Sequence, residues 1–157
     1  MNKILDIFSE LLEEFTAVAT IIDHDEVAVR LLFGKVQKVI DKPGLYWNLP
    51  LIHKVMRGSG AIETLTSGPI MSSGIVVEAA IAYRINNPIT ALMEYGDLDE
   101  RLAIEIQQVL ADDPKISDGD LGLKLRASGT RFGVTIRKAF VVSRGSPRLF
   151  HISGIDN

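Results

Sequence analysis

The chain has 157 residues, of which 46% are hydrophobic and 24% charged, and its formal net charge is −3. This length and composition predict one globular domain with a buried core and exclude a disordered chain. The acidic balance argues against a general nucleic-acid-binding protein. The absence of cysteine excludes disulfides, thiolate metal sites and a cysteine nucleophile. No apolar run is long enough to predict a membrane-spanning helix.

The charge is distributed unevenly along the sequence. Residues 1–26 carry one basic and seven acidic side chains, whereas residues 115–157 carry eight basic and three acidic ones. Oppositely charged ends can meet within one molecule or between neighbouring copies. Anionic lipid and simple solvation are the alternatives for the basic end. The candidate assembly residues there are Arg137, Lys138, Arg144 and Arg148.

Residues 1–22 are predicted to form an N-terminal amphipathic helix. At 100° per residue, the apolar side chains before residue 19 share one arc of about 160°, and polar side chains fill the rest. This wide apolar face would be covered by its own domain, by a partner helix or by lipid. Because the polar face is acidic, electrostatic adsorption to anionic headgroups is not expected from the helix itself. Its candidate membrane contacts are Ile4, Leu5, Phe8, Leu11, Leu12 and Phe15.

The middle of the chain is predicted to be sheet. Alternating apolar positions indicate a strand from Glu26 to Phe33 and a return strand from Val36 to Ile40. The segment Asp41-Lys42-Pro43-Gly44 has the residues of a type II turn. Trp47 lies between two prolines, which favours an edge or buried segment over a central strand; it is a further membrane-contact candidate. The clearest strand runs from Ile75 to Ile85, and its predicted core face consists of Val77, Ala79, Ile81, Tyr83 and Ile85.

Helices follow with explicit capping residues. Asn87-Pro88 predicts the start of a short helix, and Asp97 opens a longer one through a variant of the capping box. The core-facing stripe of the longer helix consists of Leu98, Leu102, Ile106, Val109 and Leu110. A further helix is predicted around residues 118–132. A last strand from Val134 to Val142 then precedes a short basic tail, residues 143–157.

Several short segments occur in a recognisable order. The first set is Glu26-Val27-Ala28-Val29, Phe33-Gly34-Lys35, Pro43-Gly44-Leu45, Trp47, Pro50 and Val55. The second set is Val77, Ala79, Tyr83-Arg84-Ile85, Asn87-Pro88, Ala91-Leu92 and Phe132-Gly133-Val134. In order and spacing they resemble the stomatin–prohibitin–flotillin (SPFH, band-seven) domain. The resemblance covers residues 23–142, and the run from Phe33 to Pro50 is its most specific part.

The resemblance implies a compact α+β domain, with an antiparallel β-sheet and packed helices, that has no catalytic machinery and no cofactor. It also implies a peripheral position at the cytoplasmic face of a membrane. The implied partners are further copies, other SPFH proteins, the lipid surface and an ATP-dependent membrane protease. Such assemblies organise membrane microdomains or partner complexes. The alternative is a soluble cytoplasmic adaptor, or truncated subunit, that regulates a membrane protease or a larger SPFH complex.

The sequence departs from the usual family pattern at both ends. Members usually enter the membrane through an N-terminal hydrophobic hairpin or spanning helix, whereas residues 1–18 are only amphipathic here. They also usually continue into a long coiled coil, which this sequence lacks. The expectation is therefore a short stand-alone member of the family.

No catalytic, cofactor-binding or metal site is predicted. Asp23-His24-Asp25-Glu26 places four potential ligands in a row. Consecutive side chains of an extended segment point in alternate directions, so a solvated turn before a strand is expected instead. His53 is expected at an exposed strand position. The sequence contains no nucleophile elbow, no phosphate-binding loop and no complete calcium-binding loop. Nucleic acid is not expected as a partner, because no aromatic residues are interleaved with the basic ones.

Overall fold

The computed structural model describes residues 19–49, 52–94 and 97–146. Within these ranges the strands are β1 (Ala19–Ile22), β2 (Glu26–Leu32), β3 (Lys35–Ile40), β4 (Gly44–Trp47), β5 (His53–Ser59), β6 (Glu63–Thr66), β7 (Ile70–Ser72), β8 (Ile75–Ile85) and β9 (Val134–Gly145). A short π-helical segment, Thr90–Glu94, precedes the helices α1 (Leu98–Asp112) and α2 (Asp118–Arg131). The predicted helix over residues 1–18 lies outside the described residues.

The strands form three antiparallel sheets. β1 pairs with β4 in a two-stranded sheet, and β2 lies between β3 and β5 in a three-stranded sheet. In the third sheet, β8 pairs with β6 and β7 along one side and with β9 along the other. The helices pack against this third sheet, so the predicted α+β fold with an antiparallel sheet and packed helices is confirmed.

The main hydrophobic core lies between β8, β9 and the two helices. The five alternating residues predicted for the core face of β8 are all buried, and Ile81 is completely inaccessible. The predicted stripe of α1 contributes Leu102, Ile106 and Leu110 to the same core, and Leu121 and Leu125 of α2 join them. The predicted capping residue is also confirmed, because Asp97 Oδ1 accepts the backbone N–H of Glu100.

A second, smaller core lies between the two-stranded and three-stranded sheets. It consists of Ile22, Ala28 and Ile40, with the partly buried Tyr46 and Val55 packed against it. Strand β2 belongs to both cores, since its Val27 packs against the main core and the next residue packs into the smaller one. The two parts of the domain are thus joined through alternate faces of one strand.

Five segments differ from the sequence-based expectation. Ala19–Ile22 is strand β1 and not the end of a helix, because it pairs with β4 and buries Ile22 in the smaller core. Gly44 has a φ of 153°, whereas a type II turn requires about 80° at its third position, so the predicted turn is wrong there. Strand β9 continues to Gly145, since β8 supplies pairing partners that far. The short strands β6 and β7 were not anticipated.

Tyr83 joins β6, β8 and α1 through its hydroxyl group. The side chain is 3% exposed, and its Oη lies 2.6 Å from Asp99 Oδ1 and 3.0 Å from Glu63 Oε2. Burial, followed by the hydrogen bond and negative charge of Asp99 and then those of Glu63, raises the pKa of the Tyr83 hydroxyl well above its usual range. Folded Tyr83 therefore keeps its proton at a pH at which the same tyrosine in the unfolded chain loses it.

We expect Tyr83→Phe to lower the free energy of unfolding by about 1–3 kcal/mol at pH 7, because both carboxylates lose their shared donor. In the wild type, the unfolded chain releases this proton above about pH 10 and the folded chain does not. The free energy of unfolding should therefore fall by up to about 1.4 kcal/mol per pH unit above pH 10. Urea denaturation between pH 7 and pH 11 measures both effects.

The control for this prediction is Tyr46→Phe, since the Tyr46 hydroxyl donates to the backbone oxygen of Lys42 at an exposed position. We expect this control to keep the alkaline fall of the wild type. An unchanged alkaline fall in Tyr83→Phe would contradict the assignment.

Candidate membrane-contact and assembly surfaces

The outer face of the two-stranded sheet is apolar. In the register of β1 and β4, Ile21 lies opposite Leu45 and Ala19 lies opposite Trp47. Alternate residues of a strand point to opposite faces, so Ile21, Leu45 and Trp47 share the face that points away from the smaller core. Their neighbours Ile22 and Tyr46 point inward and pack in that core. Because Ile22 and Tyr46 fill the inner face, Ile21, Leu45 and Trp47 stay on the outer face of the two-stranded sheet.

This outer row is exposed to solvent together with two residues that lie near its end. The exposed fractions are 63% for Ile21, 75% for Phe33, 55% for Leu45, 57% for Trp47 and 55% for Leu49. We call these five residues the apolar edge. Single exposed apolar residues are normal on protein surfaces, but a contiguous group marks an interaction site.

Hydrogen bonds connect Phe33 to the rest of the apolar edge. The Phe33 N–H donates to the carbonyl of Ile52 at 2.9 Å, and the Leu49 N–H donates to His53 Nδ1 at 2.9 Å. The His53 N–H in turn donates to the carbonyl of Leu49 at 2.8 Å. Phe33 and Leu49 are thus attached to two consecutive residues, of which the second is the first residue of β5. His53 is half-buried and has this structural role, which differs from the exposed position that was expected.

Polar side chains form hydrogen bonds with the backbone around Trp47. Arg30 Nη1 donates to the carbonyl of Trp47 at 3.2 Å. The buried Asn48 donates through Nδ2 to Thr20 Oγ1 at 2.6 Å and to the carbonyl of Tyr46 at 3.3 Å. These bonds hold β4 against β1 and β2, so the backbone that carries the indole is fixed in place. The prediction of an edge segment around Trp47 is confirmed, because β4 pairs only with β1 among the described strands.

Sequence reasoning selected Trp47 but missed the other four members of the apolar edge. Leu45 and Leu49 were detectable, since they repeat the Trp47 position with a period of two in a polar and proline-bounded context. Ile21 was hidden by the prediction that residues 19–22 continue a helix. The exposure of Phe33 could not be predicted without the conformation of the β2–β3 turn, where Phe33 adopts a φ of 47°. The candidates from Ile4 to Phe15 lie outside the described residues.

The assembly candidates of β9 differ in their surroundings. Arg137 is the extra residue of a β-bulge, because Ala82 pairs with Lys138 and Tyr83 pairs with Ile136. It is exposed and lines a cleft of about 410 Å³ with Arg84, Asn86 and Asp41. Among the described residues, neither Arg84 nor Arg137 forms an ion pair. A bulge commonly re-aims a side chain, and here Arg137 lines the same cleft as Arg84, neither of them with an ion-pair partner among the described residues.

The other assembly candidates show different contacts. Lys138 Nζ lies 5.4 Å above the ring of Phe140. Arg144 Nη2 donates to the carbonyl of Ile116 at 2.7 Å, so part of its donor capacity is used to attach the end of β9 to the loop between the helices. Arg148 lies outside the described residues. Arg84 was missed from the sequence, because only the pairing of β8 with β9 brings it near Arg137.

The possible metal ligands near the start of β2 form an exposed turn, as expected. Asp23, His24 and Asp25 are exposed, and Glu26 accepts the Asp23 N–H and lies 3.9 Å from Arg57. The described residues contain no group of three or more His, Asp or Glu side chains with the geometry of a metal site. In the part of the chain with described structure, no helix is long and apolar enough to cross a membrane.

Residues 20–112, which include β2 to β8, all of α1 and all but the first residue of β1, match the family model described as SPFH domain / Band 7 family. This range is more than half of the chain and contains the whole apolar edge. A search of curated proteins found no match.

Proposed function

Because the chain belongs to the SPFH domain / Band 7 family, we propose that it is a non-enzymatic scaffold protein that binds peripherally to a membrane surface and assembles with further copies or with other proteins of its family. The family is one of membrane-associated scaffolds. We assign the membrane contact of this chain to the apolar edge, with residues 1–18 as an additional anchor.

The exposed row of the two-stranded sheet is the observation that carries this proposal. Aliphatic side chains beside a tryptophan suit the boundary between headgroups and acyl chains, where indole is favoured. Moving a half-exposed Leu or Trp side chain out of water contributes on the order of 1 kcal/mol or more. Five such side chains on one support therefore supply enough free energy for reversible binding at a surface. This matches a peripheral protein.

Vesicle flotation tests the contact on the full chain. We expect the wild type to float with vesicles of 70% phosphatidylcholine and 30% phosphatidylglycerol. The double variant Leu45→Gln/Trp47→Gln should bind at least tenfold more weakly, because two apolar side chains no longer leave water. Both substitutions lie on the solvent side of β4 and should leave the fold intact, which urea denaturation checks.

The matched control for flotation is Met71→Gln/Leu123→Gln. Met71 and Leu123 are also exposed apolar residues, at 72% and 65%, but they lie on β7 and α2 outside the apolar edge. We expect this control to float like the wild type. Equal flotation of both double variants would contradict the assignment to the apolar edge. A parallel variant, Phe8→Gln/Leu12→Gln, measures the contribution of the N-terminal segment, which should also be favourable.

Assembly is proposed to use Arg137 together with Arg84. These two guanidinium groups, which have no ion-pair partner in the part of the chain that the structure describes, can bind carboxylates in the fork geometry that arginine provides. The sequence contains a segment of opposite charge, since residues 1–26 have seven acidic side chains and one basic one. We therefore propose that the acidic segment of a neighbouring copy contacts this cleft. Lys138, Arg144 and Arg148 stay secondary candidates.

Light scattering after size exclusion tests the assembly contact at low salt, with and without vesicles. We expect wild-type species larger than the 17.2 kDa chain and a shift towards the monomer in Arg84→Glu/Arg137→Glu. Lys115→Glu/Lys124→Glu makes the same change of net charge elsewhere and should keep the wild-type size. A monomeric wild type under all conditions would contradict the assembly proposal and would favour the adaptor alternative.

A further inference from the structure

We propose that the apolar edge selects membranes with anionic headgroups, because exposed lysines surround the end that carries Trp47, Leu49 and Phe33. This inference rests on the membrane contact proposed above and adds a lipid class to it. It follows from the distribution of charge along strand β2 and its neighbours.

Three lysines lie at the end of β2 that leads to Phe33. Lys35 follows Phe33 by two residues in the chain, and Lys54 pairs across the ladder with Leu31, two residues before Phe33. Lys35 and Lys54 are exposed and form no ion pair among the described residues. They therefore flank the exposed phenylalanine from both neighbouring strands.

The third lysine lies beside the strand that carries Trp47. Lys38 is exposed, and its Nζ lies 5.6 Å from the centre of the Tyr46 ring. Lys38 also pairs with Arg30, whose guanidinium donates to the Trp47 carbonyl. Positive charge thus accompanies the apolar edge from Phe33 to Trp47. Residues 27–40 and 52–62 contain no acidic side chain.

The opposite end of β2 has a different balance of charge. It begins at the exposed turn with Asp23 and Asp25, and Asp41 follows the last residue of β3 at the same end, where it lines the cleft with Arg84 and Arg137. A strand rises about 3.3 Å per residue, so this mixed end lies about 20 Å from Phe33. At physiological ionic strength the Debye length is about 8 Å, and the two ends therefore act separately on a nearby surface. An anionic membrane attracts the lysine end more strongly than the mixed end.

This polarity selects one orientation of the domain. When the lysines lie at the headgroup level, Phe33, Trp47 and Leu49 are the residues nearest to the acyl chains, and the acidic turn faces away. A neutral membrane offers the apolar edge the same burial but no orienting field. The acidic sequence of residues 1–18 does not predict this selectivity, because the positive charge comes from β3 and β5 instead.

The experiment compares binding of the full-length protein to two kinds of vesicle, one of pure phosphatidylcholine and one with 30% phosphatidylglycerol. We expect the wild type to bind the anionic vesicles at least tenfold more tightly at 50 mM salt, with the difference shrinking at 500 mM salt. The variant Lys35→Gln/Lys54→Gln should lose roughly 10- to 30-fold on anionic vesicles and be unchanged on neutral ones.

The matched control is Lys115→Gln/Lys124→Gln, which removes the same net charge from α2 and the loop before it. This control should stay within about twofold of the wild type on both vesicles. An equal loss in the two variants would overturn the inference, since net charge alone would then explain the binding. Equal wild-type binding to neutral and anionic vesicles would also overturn it while leaving the proposed membrane contact intact. No binding to either vesicle would reject the membrane contact itself.

Discussion

Strand β8 is paired along both of its edges, and this pairing determines where the helices and β9 lie. Residues 75–77 of β8 pair with β7 and residues 80–83 with β6 on one side, and residues 76–85 pair with β9 on the other. Its inner face, centred on the inaccessible Ile81, supplies the surface on which both helices pack. Because β8 cannot shift by one residue without exposing that face, it fixes the register of β9 and hence the bulge that carries Arg137.

Strand β2 connects the main core to the part of the domain that carries the apolar edge. Val27 packs on the main core, and Ala28 packs in the smaller core beneath β1 and β4. The smaller core needs the inward residues Ile22 and Tyr46, so the alternate residues of the same strands are forced outward. Exposure of Ile21, Leu45 and Trp47 in the apolar edge is thus a consequence of how the smaller core is filled. It is retained because a membrane, and not the domain, covers it in our proposal.

The parts of the fold with a strong local signal were predictable from the sequence. The period of two in β8 and the capping residue Asp97 are dictated by neighbouring residues, and both predictions are confirmed. Strands β6 and β7 are three or four residues long, and their pairing with β8 comes from distant chain, so no local pattern revealed them. The apolar edge was only partly predictable for the same reason. Trp47 could be selected because it is a tryptophan in a segment between two prolines. The positions of Ile21 and Phe33 near Trp47 depend on cross-strand pairing and on contacts with the start of β5.

If Trp47 enters the boundary of a lipid bilayer, as we propose, its fluorescence changes when the protein binds. Trp47 is the only tryptophan of the chain, so the full-length protein needs no label. With anionic vesicles, we expect a blue shift of the emission and strong quenching by lipids brominated near the headgroup end of the acyl chain, with weaker quenching by lipids brominated near its terminus. Unshifted and unquenched emission from protein that floats with the same vesicles would refute the proposed contact, because the contact would then lie elsewhere on the chain.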